Sequence, residues 1–273
     1  MSAAVPSLLG LGASRFGSFN NPAPATESER LVRAALDLGV TAIDTASIYG
    51  QGDSERIIGR AIADRRDAAF VVTKAGQTFS ARYRLLRPAK PLLRKLLGAR
   101  RRGDVSTVTT QRAGAMSSDW RPRALTASLD ASLRRLRTDR VDAFLLHSPP
   151  PQVAADPRIA AAMLAAQHAG KALRIGVSCD DLPTLDAALA QEAWQVLELP
   201  WSVIVALGDR TDTIIARGML VLAREVVLQQ PDLPPAQAVS RSIAHPAVGC
   251  TIVGTGRLEH LRALAAVARG SRR

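Results

Sequence analysis

Short apolar runs alternate with longer amphipathic ones along most of this chain. The short runs are Ser7–Gly12, Thr41–Ala46, Phe70–Lys74, Ala143–His147, Arg174–Ser178, Val196–Pro200, Met219–Ala223 and Gly249–Gly254. Most are apolar on successive residues, which suits strands buried on both faces. Between them lie Thr26–Leu38, Asp53–Ala63, Ala124–Leu136, Ile159–His168, Leu182–Leu189, Asp209–Ala216, Pro234–His245 and Leu258–Val267. Their apolar residues keep helical spacing, as Leu125, Leu129, Leu133 and Leu136 do. Thr26-Glu-Ser-Glu29 has the form of a capping box, and Pro235 stands where a helix start tolerates proline. Eight strand-like and eight helix-like runs in 273 residues predict an α/β fold, a (β/α)8 TIM barrel formed as a single domain over 1–273. A doubly wound sheet has the same alternation and is the alternative, because closure leaves no local trace.

One stretch breaks the alternation. Residues 78–123 hold twelve basic side chains and two acidic ones, whereas the rest of the chain holds 24 basic and 22 acidic. The net charge of +12 is therefore carried mainly by one insertion after the third strand. A loop there lies on the active face of a barrel, so its charge bears on substrate or partner choice. A mobile surface loop or a lid with solvated charges is the plainer reading; a site for an anionic partner is the alternative, whether a carbonyl substrate bearing a carboxylate or phosphate, an acidic carrier protein or a membrane surface. Aromatic residues are scarce in the insertion and no nucleic-acid module appears, so no nucleic-acid partner is expected. No apolar run reaches the ~18–20 residues of a membrane span. The start, MSAAVPSLLGLGAS, lacks the basic region of a signal peptide. Two cysteines, Cys179 and Cys250, show no metal spacing; a reduced, cytoplasmic protein without a metal is the expectation.

The polar residues at the strand ends carry the chemistry. Asp44 ends the second strand, with Tyr49 five residues on; Lys74 ends the third; His147 ends the fourth; Ser178 ends the fifth. Charges are rarely buried unless paired, so Asp44, Lys74 and His147 at successive strand ends are not what packing alone would select. A helix cap, a lysine reaching solvent or a core histidine would each explain one of them, but not their convergence. Together with Tyr49 they suit proton transfer to a carbonyl oxygen. A free tyrosine is a weak acid, with a pKa of ~10, and a neighbouring ammonium is expected to lower it. Asp44 would hold Lys74 charged, and His147 would orient the carbonyl. With no nucleophile required, the electrons come from a cofactor.

The same residues lie in a series of blocks: Asp44-Thr-Ala-Ser-Ile-Tyr49-Gly50, Ser54-Glu55…Gly59, Thr73-Lys74-Ala-Gly76, Ser132…Asp142 leading to His147, Gly170…Gly176-Val-Ser178, and Ile252-Val-Gly254-Thr255. In this order the chain resembles the aldo-keto reductase family. The resemblance implies a (β/α)8 barrel, reduction of an aldehyde or ketone with NADPH (NADH being the alternative), and Asp44, Tyr49, Lys74 and His147 as the catalytic tetrad with Tyr49 as proton donor. It also implies cofactor contacts from Ser178, Glu198, Trp201, Gly254, Thr255 and Arg257. Several of these depart from the family pattern. Cys179 follows Ser178 where Asn is usual, Glu198 replaces a Gln, and Trp201 replaces a Tyr that stacks on the nicotinamide. Arg224-Glu-Val-Val227 replaces the customary belt after the seventh strand. A catalytically idle NADPH-binding regulatory barrel and a non-redox lyase or isomerase are the rival functions on this scaffold.

Overall fold

A computed structural model describes residues 5–18, 23–79 and 116–271. Eight parallel strands close into a barrel: β1 (Leu9–Gly12), β2 (Ala42–Asp44), β3 (Phe70–Ala75), β6 (Val141–His147), β7 (Ala172–Ser178), β8 (Val196–Pro200), β9 (Leu220–Arg224) and β10 (Cys250–Val253). They neighbour one another in chain order, and β1 closes the ring by pairing with β10, Gly10 opposite Ile252. All eight apolar runs are barrel strands, and closure decides against the doubly wound sheet. The remaining pair, β4 (Gln77–Phe79) and β5 (Met116–Ser118), forms an antiparallel hairpin with Gln77 opposite Ser118. The hairpin brackets residues 80–115, which lie outside the described residues together with most of the basic insertion.

The helices between strands are α1 (Ala25–Asp37), α2 (Asp53–Ala61), α3 (Pro122–Leu136), α4 (Pro151–Ala154), α5 (Pro157–His168), α6 (Leu182–Leu189), α7 (Trp201–Ile204), α8 (Arg210–Ala216), α9 (Pro235–Ile243) and α10 (Leu258–Gly270). One expected start is corrected. Pro24, not Thr26, is the N-cap of α1, and no side chain caps that end. Glu29, the would-be partner in the capping box, instead accepts from Arg60 Nε of α2 at 2.6 Å. An inter-helix charge pair has taken the residue that a local cap would have used.

Strand periodicity sorts the side chains. Ala42, Phe70, Val72, Ala143, Leu145 and Val196 pack into one cluster inside the barrel, closed off by Leu222, Cys250 and Ile252. Their neighbours Ile43, Val71, Phe144, Leu146, Leu197 and Val221 belong to the larger core between strands and helices. Continuing each inward series by one step toward the C-terminal ends gives Asp44, Lys74, His147, Glu198 and Arg224.

The Ser54-Glu55…Gly59 block serves packing. Ser54 Oγ donates to the Ala13 carbonyl at 3.0 Å. Glu55, wholly buried, accepts from Thr73 Oγ1 at 2.7 Å and pairs with Arg135 Nε at 2.5 Å. Gly59 lies so close to α3 that a side chain there would begin 2.5 Å from the Leu136 carbonyl oxygen. These contacts seat α2 against β3 and α3, and α2 follows the turn that carries Tyr49.

Candidate active site

Lys74 Nζ is the centre of the barrel mouth. It is fully buried and donates to Asp44 Oδ1 and, at 3.2 Å, to the Thr45 carbonyl. Glu198 Oε2 lies 3.0 Å from the same ammonium, and Glu198 is also buried. Tyr49 and His147, both half-buried, meet edge to face with ring centroids 5.6 Å apart and planes at 87°. Lys74 Nζ stands 5.3 Å from the centre of the tyrosine ring. The predicted tetrad is therefore one cluster, built from β2, β3, β6 and the turn after β2.

That turn has unusual backbone. Gly50, Gln51 and Gly52 all have positive φ, at 57°, 60° and 84°. Gly50 has a second reason to be glycine, since a side chain there would begin 2.6 Å from the Phe16 carbonyl oxygen. The left-handed run turns the chain sharply between Tyr49 and α2, leaving Tyr49 at the mouth while α2 packs outside.

The electrostatics follow from burial. Lys74 is held well above its ordinary pKa: burial opposes the ammonium, but Asp44, Glu198 and Tyr49 outweigh that cost. Asp44 is pushed up to about 7 by burial and then by Glu198, with Lys74 working in the opposite direction. His147 is held well below 6.5 by burial, Lys74 and Arg224, so its imidazole is neutral. Tyr49 departs from the sequence expectation. Lys74 does lower its pKa, but burial dominates, Asp44 and Glu198 add to it, and the phenol rises to about 12. Burial also raises the Cys179 thiol well above its ordinary value, so it is no thiolate nucleophile.

The other expected site residues separate into three places. Ser178 and Glu198 belong to the cluster, Ser178 Oγ donating to Glu198 Oε1 at 3.3 Å. Trp201 opens α7, and its ring lies edge-on to His245 at 6.2 Å with the Arg241 guanidinium 5.8 Å away, both from the α9 region. Gly254, Thr255 and Arg257 lie on the loop leading from β10 into α10, where Thr255 Oγ1 accepts from the Arg257 N–H at 3.1 Å. In the sequence Arg224 stands out only as part of the altered belt after the seventh strand. It ends β9 on the inward face, with Nε 3.5 Å from Glu198 Oε1, a contact to Asp180, and Nη2 3.4 Å from the Cys179 carbonyl. The inward register of Leu220 and Leu222 was the signal that would have placed it there. Among the described residues no group of three or more His, Cys, Asp or Glu is arranged to hold a metal ion. Nor is any helix long and apolar enough to cross a membrane.

Family comparison agrees with the barrel fold. The family model "Aldo/keto reductase family" matches residues 8–225, most of the barrel. The chain belongs to this family. Among curated relatives, it is 29% identical to aldo-keto reductase YhdN of Bacillus subtilis, over 63% of this chain and 43% of that protein. It is 32% identical to methylglyoxal reductase YeaE of Escherichia coli, over 60% of this chain and 42% of that protein. The chain thus spans less than half the length of either relative. A solved aldo/keto reductase from Klebsiella pneumoniae, in complex with NADP and acetate, shares the fold. Its TM-score is 0.69 at 21% identity, covering 98% of this chain and 90% of that one.

Proposed function

We propose that this protein reduces an aldehyde or ketone to the alcohol with NADPH. The observation that carries the reading is the convergence of a buried Lys74–Asp44 ion pair, a protonated Tyr49 and a neutral His147 at the C-terminal mouth of one barrel. That is where barrel enzymes place their chemistry.

The residues present suit a nicotinamide nucleotide. His147 Nδ1 is buried with no hydrogen-bond partner among the described residues, which leaves the mouth able to engage a polar group of a ligand. Gly254 has open space where a side chain would begin, and Arg257 caps α10, whose N-terminus favours phosphate. In this reading Ser178, Glu198 and Trp201 flank the nicotinamide end, and Gly254, Thr255 and Arg257 hold the phosphate end. The solved relative with NADP supports the choice of nucleotide.

When bound, NADPH supplies a hydride to the carbonyl carbon. The protein's part is to deliver a proton. Tyr49 gives its phenolic proton to the carbonyl oxygen as the negative charge develops there. The phenolate left behind faces the Lys74 ammonium, which Asp44 keeps charged and fixed. His147, being neutral, orients the carbonyl oxygen by hydrogen bonding rather than by charge. The basic insertion favours substrates that carry a carboxylate or phosphate, and an acidic carrier protein is a second partner of the same charge.

Tyr49→Phe removes the transferable proton and little else. Turnover on a carbonyl panel, followed by nicotinamide absorbance, should fall at least ~100-fold, while NADPH binding by fluorescence stays within a factor of two or so. Full turnover in that variant would refute the role of Tyr49.

A further inference from the structure

Lys74 has two counter-ions where one would balance it. Asp44 reaches it from β2, and Glu198 reaches it from β8 on the opposite wall, 3.0 Å away. Glu198 is held on several sides. Its Oε1 accepts from Ser178 Oγ and faces Arg224 Nε at 3.5 Å, and its carbonyl accepts from the Cys179 N–H at 2.9 Å. Arg224 is itself anchored, through Asp180 and Glu225. The Glu198 carboxylate therefore cannot swing away from the ammonium without breaking this set.

Resting on the carbonyl-reductase reading above, we infer that Glu198, fixed by Arg224 and Ser178, is the second counter-ion of Lys74. It is a positioning residue that divides the ammonium's charge between two carboxylates and so governs the pH range in which the site works.

With Asp44 alone, the field of Lys74 would fall on Asp44 and Tyr49 and favour their charged forms. Glu198 adds a negative charge in the same low-dielectric space and opposes both. The remaining groups are Arg224, which acts in the other direction, His147, which is neutral, and Cys250, which faces Asp44 from β10. The consequence is a site that holds a proton on Asp44 up to the neutral range and keeps Tyr49 protonated well above it. A glutamine at this position would leave Lys74 with one counter-ion and lower both groups.

The test compares wild type, Glu198→Gln and Arg224→Met. Carbon-13 NMR of the side-chain carboxyls, on cofactor-free protein, should show Asp44 titrating near 7 in wild type. It should titrate lower by about one pH unit or more in Glu198→Gln, and higher in Arg224→Met. The pH profile of kcat/KM for carbonyl reduction should move in the same two directions. Identical Asp44 titration in wild type and Glu198→Gln, with only the KM for NADPH raised, would make Glu198 a cofactor contact and overturn the inference. The opposite shift in Arg224→Met is an independent reading should Glu198→Gln fold poorly. A wild-type protein with no NADPH-dependent reduction of any carbonyl would sink the functional reading, while the titrations would still judge the counter-ion role.

Discussion

Lys74 shows how much a single side chain can decide when no water reaches it. Its ammonium is stable only because Asp44 and Glu198 lie against it, and they are stable as carboxylates only because it is there. Removing one member of a buried ion pair typically costs about 3–5 kcal/mol, because the partner charge is left uncompensated. Lys74→Met should lower the unfolding free energy by about that amount at pH 8, measured by urea denaturation. The pH dependence has a definite sign. Asp44 holds its proton to about 7 in the folded chain and releases it near 3.8 when unfolded. Between those values the folded state binds more protons, so this group's contribution to stability falls as pH rises through the window. In Lys74→Met Asp44 is pushed further up, and the variant's stability deficit should shrink as pH is lowered from 8 to 5. A deficit independent of pH would contradict the coupling.

At the level of elements, the active-site turn depends on how α2 is seated. Gly59 permits the close approach to the Leu136 carbonyl, and Glu55 ties α2 to Thr73 on β3 and to Arg135 on α3. Thr73 is the neighbour of Lys74, so the strand that presents the lysine is braced by the helix that follows Tyr49. Gly59→Ala should destabilise the fold by about 1–3 kcal/mol, seen as a lower urea midpoint. Activity at permissive temperature should also drop, since the displaced helix would carry its turn with it. Unchanged stability would mean that α3 yields without cost.

For the whole molecule, charge and chemistry are separated. The near-neutral body carries the cluster, and residues 78–123 carry most of the net +12. A second basic feature lies on the outer face, a groove of about 370 Å3 between α2 and α3 lined by Arg56, Arg60, Arg134, Arg135 and Arg137. Three of its arginines are paired with acids, Arg56 with Asp53, Arg60 with Glu29 and Arg135 with Glu55, and the arginines at the end of α3 also suit the negative end of the helix dipole. The insertion can be tested as a unit, because Phe79 and Met116 are paired in the hairpin and a short turn can join them. Replacing residues 80–115 with such a turn should leave the thermal midpoint of the barrel within a few degrees of wild type. It should also abolish the rise of KM with added salt that steering of anionic substrates predicts. Loss of folding would show instead that the barrel depends on the insertion.

What the sequence by itself determined is the part written in local periodicity. Strands buried on both faces appear as apolar runs, and the polar residues at the ends of the second to fifth strands mark the barrel mouth, which is why Asp44, Lys74 and His147 are legible. The hairpin Gln77–Phe79 with Met116–Ser118 was not, because its residues carry no apolar pattern and find each other only across the insertion. Arg224 is legible only through the register that Leu220 and Leu222 set, and the sequence marks Glu198 only as a cofactor contact. Only the tertiary structure decided the charge balance of the site. A strand's pattern is fixed by neighbours two residues away, whereas Coulomb energy depends on distances that exist only once the barrel closes. Closure brought Glu198 to 3.0 Å from Lys74 across 124 positions of sequence, and it buried Tyr49, which raised the phenol where the lysine alone would have lowered it.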